Sequence, residues 1–231
     1  MGHHLLPGNP PVELTLRRSS RARRISLRVS GVDGRVTLTM PNGVPEHTAL
    51  DFAGSKAAWL RTQLCKQPDI IRVKSGVVLP VEGIERELIL STGRRVVEKD
   101  NSLLVPGPAN TMARRLEAWL KTLARDRLAS ASDHYASKLG KEYSRLSLRD
   151  TRSRWGSCSH EGRLMYSWRL ILAPPEVLEY VAAHEVAHLK EMNHSETFWS
   201  CVLDLYPGYA EPRAWLREQG STLHRYRFEA E

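Results

Sequence analysis

Five residues toward the C-terminal end, His184-Glu185-Val186-Ala187-His188, join two imidazoles to a carboxylate, and His194 follows. On an α-helix, residues four apart lie on one face, one turn above the other. Two imidazoles at that spacing can grip one metal ion from a single rigid element. Glu185, next to the first of them, is then placed to take a proton from a water at that metal. This is the H-E-x-x-H pattern of zinc-dependent hydrolysis, in which the metal makes water nucleophilic near neutral pH.

Such chemistry needs a helix under the motif. Pro174-Pro175-Glu176 reads as a helix start, with proline in the first turn and an acid at the positive end of the dipole. Leu178, Val181, Ala182 and Leu189 supply an apolar side at helical spacing. A catalytic zinc takes three protein ligands and keeps one position open, so the chain must turn back after His188. Asn193 is expected to end the helix in a left-handed conformation, His194 to be the third ligand, and Ser195 to cap a next helix from Glu196 to about Leu205. Glu211 or Glu218 is the alternative third ligand, and histidines without a metal are the bland reading. Glu191 stands where a metzincin needs glycine, and no methionine follows Met192, so the metzincin pattern is excluded.

Around the motif stand Arg152-Ser153-Arg154-Trp155-Gly156-Ser157-Cys158, then Trp168-Arg169-Leu170 and Pro174-Pro175-Glu176. Tyr180-Val181, Asn193-His194-Ser195 and Phe198-Trp199 complete the set. Together they resemble the YgjP-like family of zinc-dependent metallohydrolases (domain of unknown function 45), related to SprT-like and WLM-type metalloproteases. The basic N-terminal strands and Lys56-Ala57-Ala58-Trp59-Leu60 also look like this family. The resemblance implies zinc held by His184, His188 and His194, with Glu185 as catalytic base. It also implies either peptidase activity or hydrolysis of nucleoside triphosphates to monophosphate and pyrophosphate.

At 231 residues with a net charge of +8, the chain is long enough for a substantial core and is basic overall. No apolar run reaches membrane-spanning length, and the first residues lack the charged-then-apolar pattern of a signal peptide. Cys65, Cys158 and Cys201 are widely spaced and odd in number, which excludes a disulfide framework and a Cys-x-x-Cys zinc site. The expectation is a cytoplasmic protein with no membrane partner. Arginines gather at Arg17, Arg18, Arg21, Arg23 and Arg24, at Arg94 and Arg95, at Arg114 and Arg115, and at Arg149, Arg152 and Arg154. A weak nucleic-acid contact through this basic surface is one reading, and a solvated surface is the other.

The predicted fold class is α+β, with a β-rich N-terminal region at 1–105 and a zincin-like metal-dependent hydrolase domain at 106–231. Alternation predicts strands at 12–18, 23–30 and 34–40. A helix is expected from Pro45 to about Lys66 with Trp59 and Leu60 inward, and further strands across 77–105. Pro106-Gly107-Pro108 is the clearest break. A long helix from Asn110 to about Leu139, stopped by Gly140, precedes strands around 145–150, 154–157 and 163–172, with a hairpin turn at His160-Glu161-Gly162. A last helix is expected at 211–220. No sequence repeat is evident.

In the preferred reading the chain is a zinc metallopeptidase, nickel or cobalt being chemically suitable substitutes. Glu185 is its base, and Arg154, Tyr166 and Arg152 are candidates to meet substrate. His160 and His224 are further candidates for stabilising an oxyanion. A substrate chain would pair with the strand after Trp155, where Gly156 permits close approach. The first rival is a nucleoside triphosphate pyrophosphohydrolase (UTP pyrophosphatase-like) using the same metal site. The second is a nucleic-acid-binding module with a structural zinc closed by Cys158.

Overall fold

Alternating apolar and polar residues build the first sheet, and its buried side collects Val12, Leu14, Leu16, Val36, Leu38 and Met40. A computed structural model of the chain describes residues 2–31, 33–65 and 69–229. The architecture is α+β, in two units, Met1–Asp69 and Ile70–Glu231. The first unit holds β1 (Gly2–Leu6), β2 (Val12–Arg18), β3 (Ser26–Val29), β4 (Val36–Met40), α1 (Glu46–Ser55) and α2 (Ala57–Cys65). Its strand order is β1-β2-β4-β3, with β2 and β4 parallel and both outer pairs antiparallel. Ala49, Ala53 and Leu60 from the helices close over the apolar side. The helix expected over 45–66 is broken at Lys56, whose backbone leaves helical geometry. Past that break Leu60 is buried, but Trp59 points out and is 45% exposed, contrary to expectation.

The second unit begins with β5 (Ile71–Arg72), β6 (Val78–Val81), β7 (Ile84–Ser91), β8 (Val97–Lys99) and β9 (Ser102–Pro106), followed by α3 (Ala109–Leu139). The sheet order is β6-β7-β9-β8, again with a central parallel pair flanked by antiparallel ones. Four strands in the same order, then helix, thus occur twice, a repeat of topology that the sequence conceals. The expected division at 105/106 is corrected. Pro106-Gly107-Pro108 turns β9 into α3 within one core, where Leu79, Leu88, Leu103 and Val105 lie with Met112, Leu116 and Leu120. Gly140 ends α3 in the left-handed conformation, φ 67°, as expected.

Then come β10 (Arg145–Arg149), β11 (Gly156–Cys158) and β12 (Arg163–Ser167), in the order β10-β12-β11. The predicted strand over 163–172 stops at Ser167, and Trp168–Leu172 forms a buried 3-10 turn. Helices α4 (Pro175–Ala187), α5 (Glu196–Leu205) and α6 (Ala210–Gln219) follow, then a 3-10 turn at Gly220–His224 and β13 (Tyr226–Arg227), which pairs in parallel with β5. No helix among the described residues is long and apolar enough to cross a membrane.

Arg169 anchors the curled end of the 163–172 segment. Its guanidinium is buried and donates to both carboxylate oxygens of Asp150, at 2.7 and 3.0 Å, and to the carbonyls of Leu223 and Tyr226. One side chain thereby ties the loop before β11 to the C-terminal segment. Breaking a buried, charge-assisted set of this kind costs several kcal/mol when the partner is sealed, and less here because Asp150 is partly open. Arg169→Leu is expected to lower unfolding free energy by about 2–4 kcal/mol in urea titration. A change within about 0.5 kcal/mol would remove Arg169 from this role.

Candidate metal centre and active site

Helix α4 begins with Pro175 at its first position and Glu176 in its first turn. Its residues are buried nearly all round: Val177, Leu178, Tyr180, Val181, Ala182, Ala183, Glu185, Val186 and Ala187. An all-apolar helix belongs in a core, so the side chains it does present polar are held with little freedom. The helix ends at Ala187 with His188 as C-cap in right-handed geometry. Asn193 is not the left-handed terminator expected from the sequence, since positive φ occurs among described non-glycine residues only at Glu82 and Asp100. Instead Leu189, Lys190 and Glu191 turn on hydrogen bonds back to Val186 and Ala187, and Asn193 Oδ1 accepts from Ser195 N. Ser195 caps α5 by accepting from Phe198 N.

This turn brings the three histidines together. Their nearest nitrogens all lie within 4.8 Å of one another. His184 Nε2 and His194 Nε2 are 3.2 Å apart. Two nitrogens each about 2.0–2.1 Å from a tetrahedral zinc would be separated by about 3.3 Å, so the spacing fits such an ion. His188 Nδ1 donates to the Glu191 carbonyl at 2.9 Å, which leaves its Nε2 unprotonated in the neutral ring. His184 Nδ1 is buried without a hydrogen-bond partner. Burial, and then the neighbouring histidines, push the His184 pKa down to about 3, and burial also lowers His188. Both rings are therefore neutral, as metal ligation requires.

Aromatic rings hold the imidazoles. Phe198 stacks on His188 with centroids 4.5 Å apart and meets His184 edge-on at 4.9 Å. Trp199 stands beside His184 and His194, and carries Arg213 over its outer face at 4.2 Å. In the sequence, Phe198-Trp199 stands out only through the family resemblance. The available signal was an aromatic pair one turn into the helix that Ser195 caps.

Glu185 lines the same cavity as the histidines and is only 5% exposed. Burial raises its pKa to about 8, with Arg154 pulling in the opposite direction. It presses on β11: a Cβ built at Gly156 would come within 2.5 Å of Glu185 Oε1 and 2.6 Å of its Cγ. The close approach expected of Gly156 is thus made by the chain's own carboxylate. The loop carrying Arg154 and Gly156 is fixed by Thr151 Oγ1 donating to the Arg154 carbonyl and by Trp155 stacked on His224 at 5.1 Å.

Arg154, Gly156, Ser157, Cys158, Glu185, Met192 and the three histidines line one open cavity of about 470 Å³. Other expectations are redirected. Tyr166 is fully buried and its hydroxyl bonds Ser132 at 3.0 Å, so it has no surface with which to meet substrate. Arg152 is exposed and does not line this cavity. His224 is buried against Trp155 and also lies outside the lining. Glu211, Glu218 and Cys158 do not join the ligand cluster among the described residues. Cys158 instead donates to its neighbour's carbonyl, and burial with the adjacent Glu185 pushes its thiol up to about 11.

The family model described as YgjP-like, metallopeptidase domain matches residues 23–219. The chain belongs to the YgjP-like family. Among solved structures, the metallopeptidase zymogen of Pyrococcus abyssi abylysin is 22% identical with a TM-score of 0.37, over 40% of this chain and 95% of that one. A search of curated proteins finds no match. YgjP-like membership and the histidine cluster support a metallopeptidase-type, metal-dependent hydrolase.

Neutral buried histidines make the metal-free protein acid-sensitive. His184 and His224, the latter pushed down to about 4 by burial and by Arg169, bind protons in the unfolded chain near pH 6.5 but resist them when folded. At these two histidines the unfolded state takes up more protons below that pH, each lowering stability by at most about 1.4 kcal/mol per pH unit as pH drops from about 6.5 toward 4. Glu185, protonated in the folded state up to about pH 8, offsets about one histidine, and the net stability still falls. Urea titrations of chelator-treated protein at pH 7 and pH 5 check this, and equal stability at both would contradict it.

Proposed function

We propose that this YgjP-like chain is a zinc peptidase in which His184, His188 and His194 hold the metal and Glu185 is the catalytic base. The observation that carries the reading is the union of three converging imidazoles, a buried carboxylate and an open strand edge in one cavity. When bound, the divalent ion would supply Lewis acidity toward water and the scissile carbonyl. Glu185 receives the proton of the attacking water on its carboxylate and returns it to the leaving amine nitrogen. Gly156 keeps that carboxylate in place, because its missing Cβ is the space Glu185 occupies. Arg154 at the cavity supplies positive charge to the negative charge that develops on the carbonyl oxygen.

A peptide suits the cavity better than a nucleotide. Strand β11 pairs with β12 alone among the described residues, so its other edge can receive an extended chain as an added strand. Arg154 is the one guanidinium or ammonium among the described lining residues, a thin complement for a triphosphate. The structural-zinc reading lacks a fourth protein ligand among the described residues.

Glu185→Gln is the primary test. The variant should keep its zinc by elemental analysis and lose about 10²- to 10⁴-fold in cleavage of unfolded casein. Full activity in that variant, or pyrophosphate release from UTP without casein cleavage, would overturn the assignment. Gly156→Ala forces the Glu185 carboxylate aside. It should lower kcat on casein at least about tenfold while zinc content stays at wild-type level. Unchanged kcat would show that the contact does not position the base.

A further inference from the structure

The first unit carries ten basic against five acidic residues, a net +5 of the chain's +8. Six arginines fall between Arg17 and Arg28 with no acid among them. Arg18 is occupied structurally, donating to the carbonyls of Asn42 and Val44. The remaining five, Arg17, Arg21, Arg23, Arg24 and Arg28, are all exposed.

Register places them. The sheet's buried side is covered by α1 and α2, so the alternate residues form an outward face. Across β2, β4 and β3 the outward rows are Thr15, Thr37 and Arg28, then Arg17, Thr39 and Ser26. Arg21, Arg23 and Arg24 lie on the connection joining the Arg17 end of β2 to the Ser26 end of β3. Glu13, the acid on this face, lies toward the other end, opposite Leu5. Guanidinium groups interleaved with hydroxyls are the side chains that contact phosphate oxygens.

The topological repeat provides an internal control. In the β6–β9 sheet the corresponding outward positions hold Glu85, Glu87, Ile89, Leu104, Val97 and Lys99, and the β7–β8 connection carries only Arg94 and Arg95. The same strand order is therefore built with two acids and one lysine on that face and with fewer arginines in the connection, so the fold does not demand the concentration of arginine found in the first unit.

We propose that the outward face of the β1–β4 sheet, with the Ser19–Ile25 connection, binds the phosphate backbone of duplex DNA without reading sequence. The face has no Phe, Tyr or Trp: the unit's aromatics of those types, Phe52 and Trp59, lie on α1 and α2. Single strands are held largely by base stacking on such rings, so a face of arginine and threonine suits the regular phosphate rows of a duplex. The inference is independent of the peptidase reading.

The test uses the full chain and a fluorescein-labelled duplex of arbitrary sequence, about 20 base pairs long, followed by anisotropy. Five phosphate contacts give a slope of about −4.5 in log K against log salt, an affinity loss on the order of 10²- to 10³-fold between about 50 and 200 mM. Arg17→Gln with Arg28→Gln should flatten the slope by about 2 and weaken binding at least about tenfold at the lower salt, with the melting temperature unchanged. Arg114→Gln with Arg125→Gln removes equal charge from exposed positions of α3 and should leave affinity within about twofold. Absent duplex binding, an equal loss in both double variants, or tighter binding of one strand alone would each overturn the proposal.

Discussion

Helix α4 is apolar on nearly every side, and this one constraint determines where His184, Glu185 and His188 can be. A helix so buried cannot rotate without exposing Val177, Val181 or Val186, which burial holds at roughly 1.5–3 kcal/mol each. Two neighbours complete the arrangement. The turn after Ala187 returns His194 to His184, and β11 meets Glu185 at a position where only glycine leaves room. Outside these contacts, Phe198 and Trp199 restrict the rings, while Arg169 secures the loop that delivers Arg154 and Gly156.

The same burial separates the roles of the ionisable groups. Histidines that lose solvent become neutral ligands, whereas a carboxylate that loses solvent becomes a stronger base. His184 and Glu185 are adjacent in sequence and line one cavity, and desolvation moves them oppositely in their affinity for protons because one is charged when protonated and the other when deprotonated. Arg154 moderates the carboxylate from the cavity side. The result is a polar pocket set on a rigid apolar element, the arrangement that keeps catalytic geometry within narrow limits.

Local patterns were legible in the sequence where period and capping residues agree. The helix under the H-E-x-x-H motif, the Ser195 cap, the Gly140 stop and strands β2 and β4 follow from such signals. Long-range contacts were not. Tyr166 reads as a pocket residue by proximity to Trp155, yet alternation along β12 turns it to the core and Ser132 satisfies its hydroxyl. Trp59 reads as inward on an unbroken helix, and the interruption at Lys56 moves it out. The Pro106-Gly107-Pro108 break resembles a domain boundary, although a turn joining a strand to the helix packed on it needs the same residues. The repeated strand order is invisible because pairing order is a property of contacts, and the two copies keep only the apolar alternation.

The central claim is that three imidazole nitrogens converge on one divalent ion and leave a position for solvent. X-ray absorption at the zinc edge of the loaded protein reads this directly. The account predicts three nitrogen scatterers and at least one oxygen, all at about 2.0–2.2 Å. A sulfur scatterer at about 2.3 Å, bringing Cys158 into the shell, or scattering from only two imidazoles with His194 intact, would contradict it.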